Sequence, residues 1–175
     1  MKLILPFLLI TSTLSAQTDC SDFLKIIGQR DISQVVIDLK ENCGPFVETV
    51  STDGKTKTYT SEEKGITLFF INRKKDRFSL PEYEVLTIEL RSFTDKGGYK
   101  EDFPFGFTLG MDHRMVKEHI MQMKDVQFEK KDLGKKLSTF TYTGYANQAA
   151  QGRDVRVSVS QFDGKTITAM RFRLM

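Results

Sequence analysis

The 175-residue sequence has no tryptophan, only two histidines and only two cysteines. His113 and His119 are six residues apart on one predicted helix, about 240° around its axis, so they point to different faces. Zinc-binding pairs on a helix use an i, i+4 spacing, and no cysteine pair offers further ligands. We therefore expect no metal and no cofactor, and we interpret both histidines as exposed polar positions.

Recognisable catalytic motifs are also missing. No Gly-x-Ser-x-Gly or Ser-x-x-Lys motif lies near a predicted strand-to-helix turn, and Gly97-Gly98 lacks the pattern that follows in a phosphate loop. The 23 acidic residues are too numerous for their presence to identify a catalytic pair. We expect that the protein is not an enzyme, with a small hydrolase of unrecognised site as the low-ranked alternative.

Long apolar runs are absent after the N-terminus. There, Lys2 precedes the apolar residues 3–10 (LILPFLLI), and small or polar residues follow as far as Ala16. Eight residues form about 12 Å of helix, against a hydrocarbon core of about 30 Å, which argues against a membrane anchor. The pattern is typical of a secretory signal peptide cleaved between Ala16 and Gln17. It predicts export to the periplasm or the medium.

The two cysteines are interpreted in that exported context. Cys20 and Cys43 would form a disulfide enclosing 22 residues, for which loop entropy predicts a stabilisation of about 3 kcal/mol. Two unpaired thiols are the alternative. Lipid attachment at Cys20 is disfavoured because the residues before it, Gln17-Thr18-Asp19, are polar and charged.

A strong excess of one charge is absent as well. Without residues 1–16, which hold one lysine and no acid, the chain has 25 basic and 23 acidic residues, a net charge of +2. The two signs are interspersed, whereas nucleic-acid binders concentrate their basic residues. We therefore expect no nucleic-acid partner and no membrane span, and the oligomeric state stays open.

The chain after the signal peptide shows the same plan twice. A helix over residues 34–42 is predicted with Ser33 as its N-cap, whose hydroxyl would accept a backbone N–H, and a helix over residues 113–123 with Asp112 as its N-cap. A short extra helix is predicted near residues 22–28. The caps and the apolar residues that would staple them repeat at a spacing of 79 residues: Ile32 and Ile37, then Met111 and Val116.

Three strand-like segments follow each main helix, and Asp163-Gly164 predicts a tight hairpin between the last two. We therefore predict an α+β fold of two similar units, each a helix (a helix pair in the first) on a three-stranded antiparallel sheet. Coincidence is the alternative to duplication. The predicted strands are residues 57–60, 65–71 and 85–91, then 137–142, 155–159 and 167–174; the predicted domains are the signal peptide 1–16, a first unit 17–94, a linker 95–100 and a second unit 101–175.

Residues 102–116 read DFPFGFTLGMDHRMV. This Pro-Phe-Gly segment before an amphipathic helix resembles the helix-plus-meander units of the SmpA/OmlA outer-membrane-assembly lipoproteins. It is also similar to the tandem units of the β-lactamase inhibitory protein family and to some immunity proteins. The resemblance implies helices packed on a curved antiparallel sheet and, for the inhibitory family, a concave sheet that grips a partner. The resemblance assigns no contact residue of these families to this chain. Residues 121–125 (MQMKD) also differ from the Leu-Gly-x-Pro sequence that ends the corresponding helices of SmpA/OmlA.

Two groups of apolar residues need an interpretation. The aromatic residues of the Pro-Phe-Gly segment are interpreted as filling the gap under the second helix, with an exposed binding anchor as the alternative. The methionines of that helix are interpreted as core residues rather than as an adaptable binding surface. The residues concerned are Phe103, Phe105 and Phe107, and Met115, Met121 and Met123.

The last two predicted strands alternate apolar and polar residues, which places Arg156, Arg171 and Arg173 on the outer side of the sheet. Tyr142 and Tyr145 are expected nearby. Because guanidinium groups pair well with carboxylates, these five residues are the predicted contact site for an acidic protein partner. An ordinary solvated sheet face is the alternative.

These observations favour an exported, non-enzymatic protein-binding module of the inhibitor or immunity kind. A cell-envelope assembly or maintenance factor is the second choice.

Overall fold

The computed structural model describes residues 23–73, 82–124, 126–129, 139–162 and 165–175. The predicted signal peptide, Cys20 and the Asp163-Gly164 turn lie outside these ranges. Pro104–Gly106 forms a short 3₁₀ turn. The helices are α1 (Phe23–Ile26), α2 (Gln34–Asn42) and α3 (His113–Gln122), and the strands are β1 (Val47–Val50), β2 (Thr56–Ser61), β3 (Ile66–Asn72), β4 (Tyr83–Arg91), β5 (Val126–Glu129), β6 (Thr139–Ala150), β7 (Arg153–Phe162) and β8 (Thr166–Leu174).

The described strands form one antiparallel sheet in the order β1-β2-β3-β4-β8-β7-β6-β5. Helices on a mostly antiparallel sheet confirm the α+β class. The predicted three strands per half were wrong, because each half contributes four neighbouring strands. The two missed strands, β1 and β5, have only four residues each, and their sequences VETV and VQFE carry little alternation.

The core lies on one face of this sheet. Apolar side chains of β7 and β8 alternate as predicted and are buried, and the helices add residues to the same core. Full burial of one such side chain stabilises the fold by about 1.5–3 kcal/mol. The helices therefore lie on the core face. These buried residues are Val155, Val157, Val159, Met170, Phe172 and Leu174 from the strands, with Phe23, Val36, Leu39 and Val116 from the helices.

The two helix starts differ in how they are capped. Asp112 accepts a hydrogen bond from the Met115 N–H at 2.8 Å, which confirms the predicted N-cap of α3. Ser33 occupies the N-cap position of α2, but its hydroxyl makes no capping bond and is buried without a partner among the described residues. That part of the prediction was wrong. The predicted hydrophobic staple was also wrong, because Ile32 is 76% exposed. Burial of the core face of α2 holds this helix in place instead.

Cys43 follows α2 directly, and its N–H donates to the carbonyl of Leu39 at 2.9 Å. It is fully buried and is not a free thiol. Its predicted partner, Cys20, lies outside the described residues. The disulfide between them therefore stays a prediction.

The predicted linker, residues 95–100, packs closely against the ends of β3 and β4. Tyr99 is almost fully buried, and its N–H donates to the carbonyl of Arg91 at 2.7 Å. Gly65, in the left-handed region at φ +65°, makes this approach possible, because a Cβ there would lie 2.1 Å from the Arg91 oxygen and 2.3 Å from the Tyr99 nitrogen. The segment fixes the end of β4, where Arg91 points to solvent.

A pair of glycine substitutions tests this close approach. Gly65→Ala should lower the free energy of unfolding by about 3 kcal/mol or more, since backbone atoms must move. Gly54→Ala is the matched control: Gly54 has φ +63° but no heavy atom within 4 Å of an added Cβ, so only the left-handed penalty of about 1 kcal/mol applies. Urea unfolding curves measure both, and equal losses would contradict the close contact.

Candidate partner-binding face

The face of the sheet opposite the core is called the outer face here. Side chains alternate along a strand, so the neighbours of the buried core residues point to it. Two rows of directly opposed residues cross the centre of this face. The Glu89 row is Thr67, Glu89, Arg171, Ser158 and Thr143, and the Arg173 row is Phe69, Thr87, Arg173, Arg156 and Tyr145.

Glu89 is the centre of an ion-pair cluster in which one carboxylate bonds to two guanidinium groups. Glu89 is 4% exposed and accepts hydrogen bonds from Arg91 and from Arg171, the latter through Nε at 2.8 Å and through Nη2. Burial alone would raise the pKa of Glu89, but the bonds from Arg91 and Arg171 outweigh burial and lower it. Both arginines remain about half exposed. Glu89 therefore stays ionised and orients two guanidinium groups at the surface.

The Arg173 row has no comparable acid. Arg156 and Arg173 are directly opposite each other on β7 and β8, and neither has an ion-pair partner among the described residues. The Arg156 Nε is buried and finds no acceptor within the same part of the chain. Like charges directly opposite each other destabilise a sheet. Within the described residues, this pair of outer-face charges therefore has no counter-charge.

The two predicted tyrosines lie on opposite faces of the sheet. Tyr145 lies opposite Arg156 on the outer face and is half-buried. Tyr142 lies opposite Val159, is 7% exposed on the core side, and its hydroxyl bonds to the Nδ1 of His113. Its predicted place in the contact site was wrong. The structure thus brings together the three predicted arginines and Tyr145.

Both histidines are partly buried and bonded, so their interpretation as exposed polar positions was wrong. The His113 ring lies 4.2 Å from the Phe140 ring, between centroids, in addition to its bond with Tyr142. The His119 Nε2 lies 2.8 Å from the carbonyl oxygen of Phe105. Across the described residues, no cluster of three or more His, Cys, Asp or Glu side chains could hold a metal ion.

The Pro-Phe-Gly segment fills the space under α3, which confirms that interpretation. Phe103 and Phe107 are buried, and Phe105 is partly buried against the core. The ring of Phe107 meets the ring of Phe128 on β5 edge-on at 6.2 Å between centroids. The segment therefore supports the sheet from the core side and offers no aromatic anchor at the outer face.

The methionines of α3 do not all pack in the core. Met123 packs against it, but Met115 is 48% exposed and Met121 is 78% exposed. Val116 is the buried residue of this helix. The core interpretation was therefore wrong for Met115 and Met121.

A cleft of about 270 Å³ extends the outer face beyond the Glu89 row. Arg91 and Phe93 line it, and the ring of Phe93 is largely exposed, with the Lys100 ammonium 5.4 Å from its centroid. Sequence reasoning did not select Glu89, Arg91 or Phe93. The alternation of residues 87–91 would have put Glu89 and Arg91 on one face. It does not reveal which strand lies beside β4.

A second charged cluster lies at the other end of β4. Glu84 pairs with Arg73 and Arg153, each at 2.7 Å, and Arg30 pairs with Glu82 at 2.6 Å. These residues border a cleft of about 350 Å³. Every guanidinium in it already has a carboxylate, so this cluster attracts an anionic partner less than the Arg173 row does.

Comparisons of the chain with protein-family models, curated proteins and solved structures found no match. The resemblance to inhibitory proteins and to SmpA/OmlA lipoproteins therefore stays a prediction. Within the described ranges, no helix combines the length and the apolar character that crossing a membrane requires.

Removing the acid of the Glu89 row should show its electrostatic role. Glu89→Gln is expected to lower the free energy of unfolding by about 2 kcal/mol at pH 7, because two guanidinium groups lose their counter-charge. The folded pKa of Glu89 is depressed, so its contribution is complete above the unfolded pKa of about 4.3 and is lost as pH falls through the folded value.

Urea unfolding between pH 3 and pH 7 measures this. The difference between wild type and variant should shrink below about pH 4. The exposed pair of Glu118 with Arg114 supplies the control, since Glu118→Gln should leave the free energy of unfolding nearly unchanged. A Glu89→Gln loss that does not change with pH would contradict the ion-pair account.

Proposed function

We propose that this chain is an exported, non-enzymatic protein-binding module of the inhibitor or immunity kind, which binds an acidic partner through its outer face. The observation that carries the proposal is the Arg156–Arg173 pair. These two arginines lie directly opposite each other on β7 and β8, on the outer face, and the described residues offer them no carboxylate. Arginine and tyrosine are both enriched at energetically important positions of protein interfaces.

The size of the face suits such a partner. Eight strands spaced about 4.8 Å apart span about 34 Å, and nine-residue strands such as β4 and β8 run for about 30 Å. A standard interface buries about 800 Å² on each partner. The outer face therefore has room for one protein partner and a polar rim around the arginines.

The two-unit organisation is part of the proposal. Each half has the order helix then four strands, and the 79-residue spacing of the caps recurs at the first strand, from Val47 in β1 to Val126 in β5. We interpret residues 17–94 and 101–175 as two such units joined at β4 and β8. The Arg173 row then crosses from one unit to the other, so both would contribute to partner binding.

Affinity capture tests the function. The chain 17–175 is used as bait against its own cell envelope and culture medium, and the recovered partner is then purified and its Kd measured. Arg156→Glu/Arg173→Glu should raise the Kd at least 100-fold, since two attractive charges become repulsive. Added salt should weaken wild-type binding.

Lys117→Glu/Lys124→Glu is the matched control, because it changes the charge equally at exposed positions on and just after α3. Circular dichroism and urea unfolding establish that each variant is folded. The same Kd for all three proteins, or recovery of no stoichiometric partner, would contradict binding through the outer face.

Export is tested separately. Full-length chain with a C-terminal tag, expressed in a Gram-negative host, should appear outside the cytoplasm with Gln17 as its first residue. Its intact mass should be lower by two hydrogens than that of the reduced chain, because Cys20 and Cys43 form a disulfide. Leu8→Lys/Leu9→Lys, which interrupts the apolar run, should keep the protein in the cytoplasm. A first residue of Met1, or a lipid-modified Cys20, would refute this cleavage.

A further inference from the structure

The two central rows of the outer face differ in one position on β4. In the Glu89 row, the residue opposite Arg171 is the acid Glu89, and its carboxylate bonds to that guanidinium. Two residues earlier on the same strand, the residue opposite Arg173 is Thr87. The Arg173 row therefore has the same cross-strand arrangement as its neighbour but lacks the acid.

The missing acid leaves more positive charge than in the neighbouring row. Arg171 faces Ser158 on β7, whereas Arg173 faces a second arginine, Arg156. Glu89 bonds to Arg91 through Oε1 and to Arg171 through Oε2, and it makes no ion pair with Arg156 or Arg173 among the described residues. A carboxylate from outside the described residues would therefore reduce the repulsion between Arg156 and Arg173.

The neighbours of the pair indicate what kind of group it can accept. Thr87 on one side is uncharged and almost fully buried, so it gives Arg173 no counter-charge from β4. Tyr145 on the other side lies directly opposite Arg156 and is half-buried, and its hydroxyl can donate to an acceptor. Arginines at directly opposed positions can both donate to the oxygens of one carboxylate, and such charge-assisted bonds are strong. A nucleic-acid backbone would need a longer basic track than these two unpaired arginines provide.

We infer that Arg156, Arg173 and Tyr145 form a subsite for a single carboxylate, which an aspartate or glutamate side chain of the bound partner fills. This inference rests on the proposed function, because it names the chemical group through which the partner is recognised. Glu89 bound between Arg91 and Arg171 is the internal example of the same contact.

The first test uses the partner identified by capture, and a substitution in this chain introduces the carboxylate. Thr87→Glu places a carboxylate opposite Arg173, as Glu89 lies opposite Arg171, so it should raise the partner's Kd at least 100-fold. The urea midpoint should stay equal or increase, because the arginine pair gains a counter-charge. Thr87→Gln has nearly the same size without the charge and should raise the Kd less than tenfold. Equal losses for the two variants, or a lower midpoint for Thr87→Glu alone, would overturn the inference.

The second test uses the unmodified protein and needs no partner. The Nε–H signals of the arginines are followed by NMR while the blocked peptide acetyl-Asp-Glu-amide is added at constant ionic strength. Acetyl-Asn-Gln-amide is the uncharged control, and inorganic phosphate is the alternative anion. The signals of Arg156 and Arg173 should move and saturate with the acidic peptide, while the signal of Arg171 moves much less and the uncharged peptide has no effect.

Three outcomes of this titration would overturn the subsite: no shift with the acidic peptide, parallel shifts of every arginine, or saturation with phosphate alone. Failure here is distinct from failure of the proposed function. If Arg156→Glu/Arg173→Glu abolishes partner capture but the peptide moves neither signal, the face binds a protein without carboxylate recognition. If the peptide binds and no partner is captured, the carboxylate subsite is supported and the protein-binding function is contradicted.

Discussion

The antiparallel pairing of β4 with β8 is the interaction on which the rest of the structure depends. It joins strands that are about eighty residues apart in the chain and turns two four-stranded halves into one sheet. On the core side it places Ile88 opposite Phe172, both fully buried. On the outer side the same register places Glu89 opposite Arg171 and Thr87 opposite Arg173. The core and the candidate binding face are thus set by one alignment of two strands.

Much of the secondary structure could be predicted because it is encoded locally. The Asp112 cap, the alternating valines of β7 and the alternating residues of β8 each express a physical preference over a few residues. β1 and β5 could not be predicted in this way, since four residues contain barely two periods of alternation. Ser33 failed as a capping side chain although its position was right, because the preference for a residue type does not determine where its hydroxyl points.

The candidate site was only partly predictable, for a different reason. Alternation alone placed Arg156, Arg171 and Arg173 on one face, and the structure has them there. Tyr142 and Tyr145 are three residues apart, so a regular strand must direct them to opposite faces, and only one could join the arginines. What the sequence could not reveal is which arginine meets an acid. Glu89 lies 82 residues before Arg171, and the contact exists only once β4 and β8 are aligned.

The shortness of β1 and β5 has a consequence for how another chain can approach. Among the described residues they are the first and last strands of the sheet, and each has a ladder of only four residues. Open edges of that length are poor templates for strand addition, which limits edge-to-edge pairing with other chains. A large and specific contact is therefore made more readily across the broad side of the sheet than along its margins. Short terminal strands thus restrict the geometry of association before any side chain selects a partner.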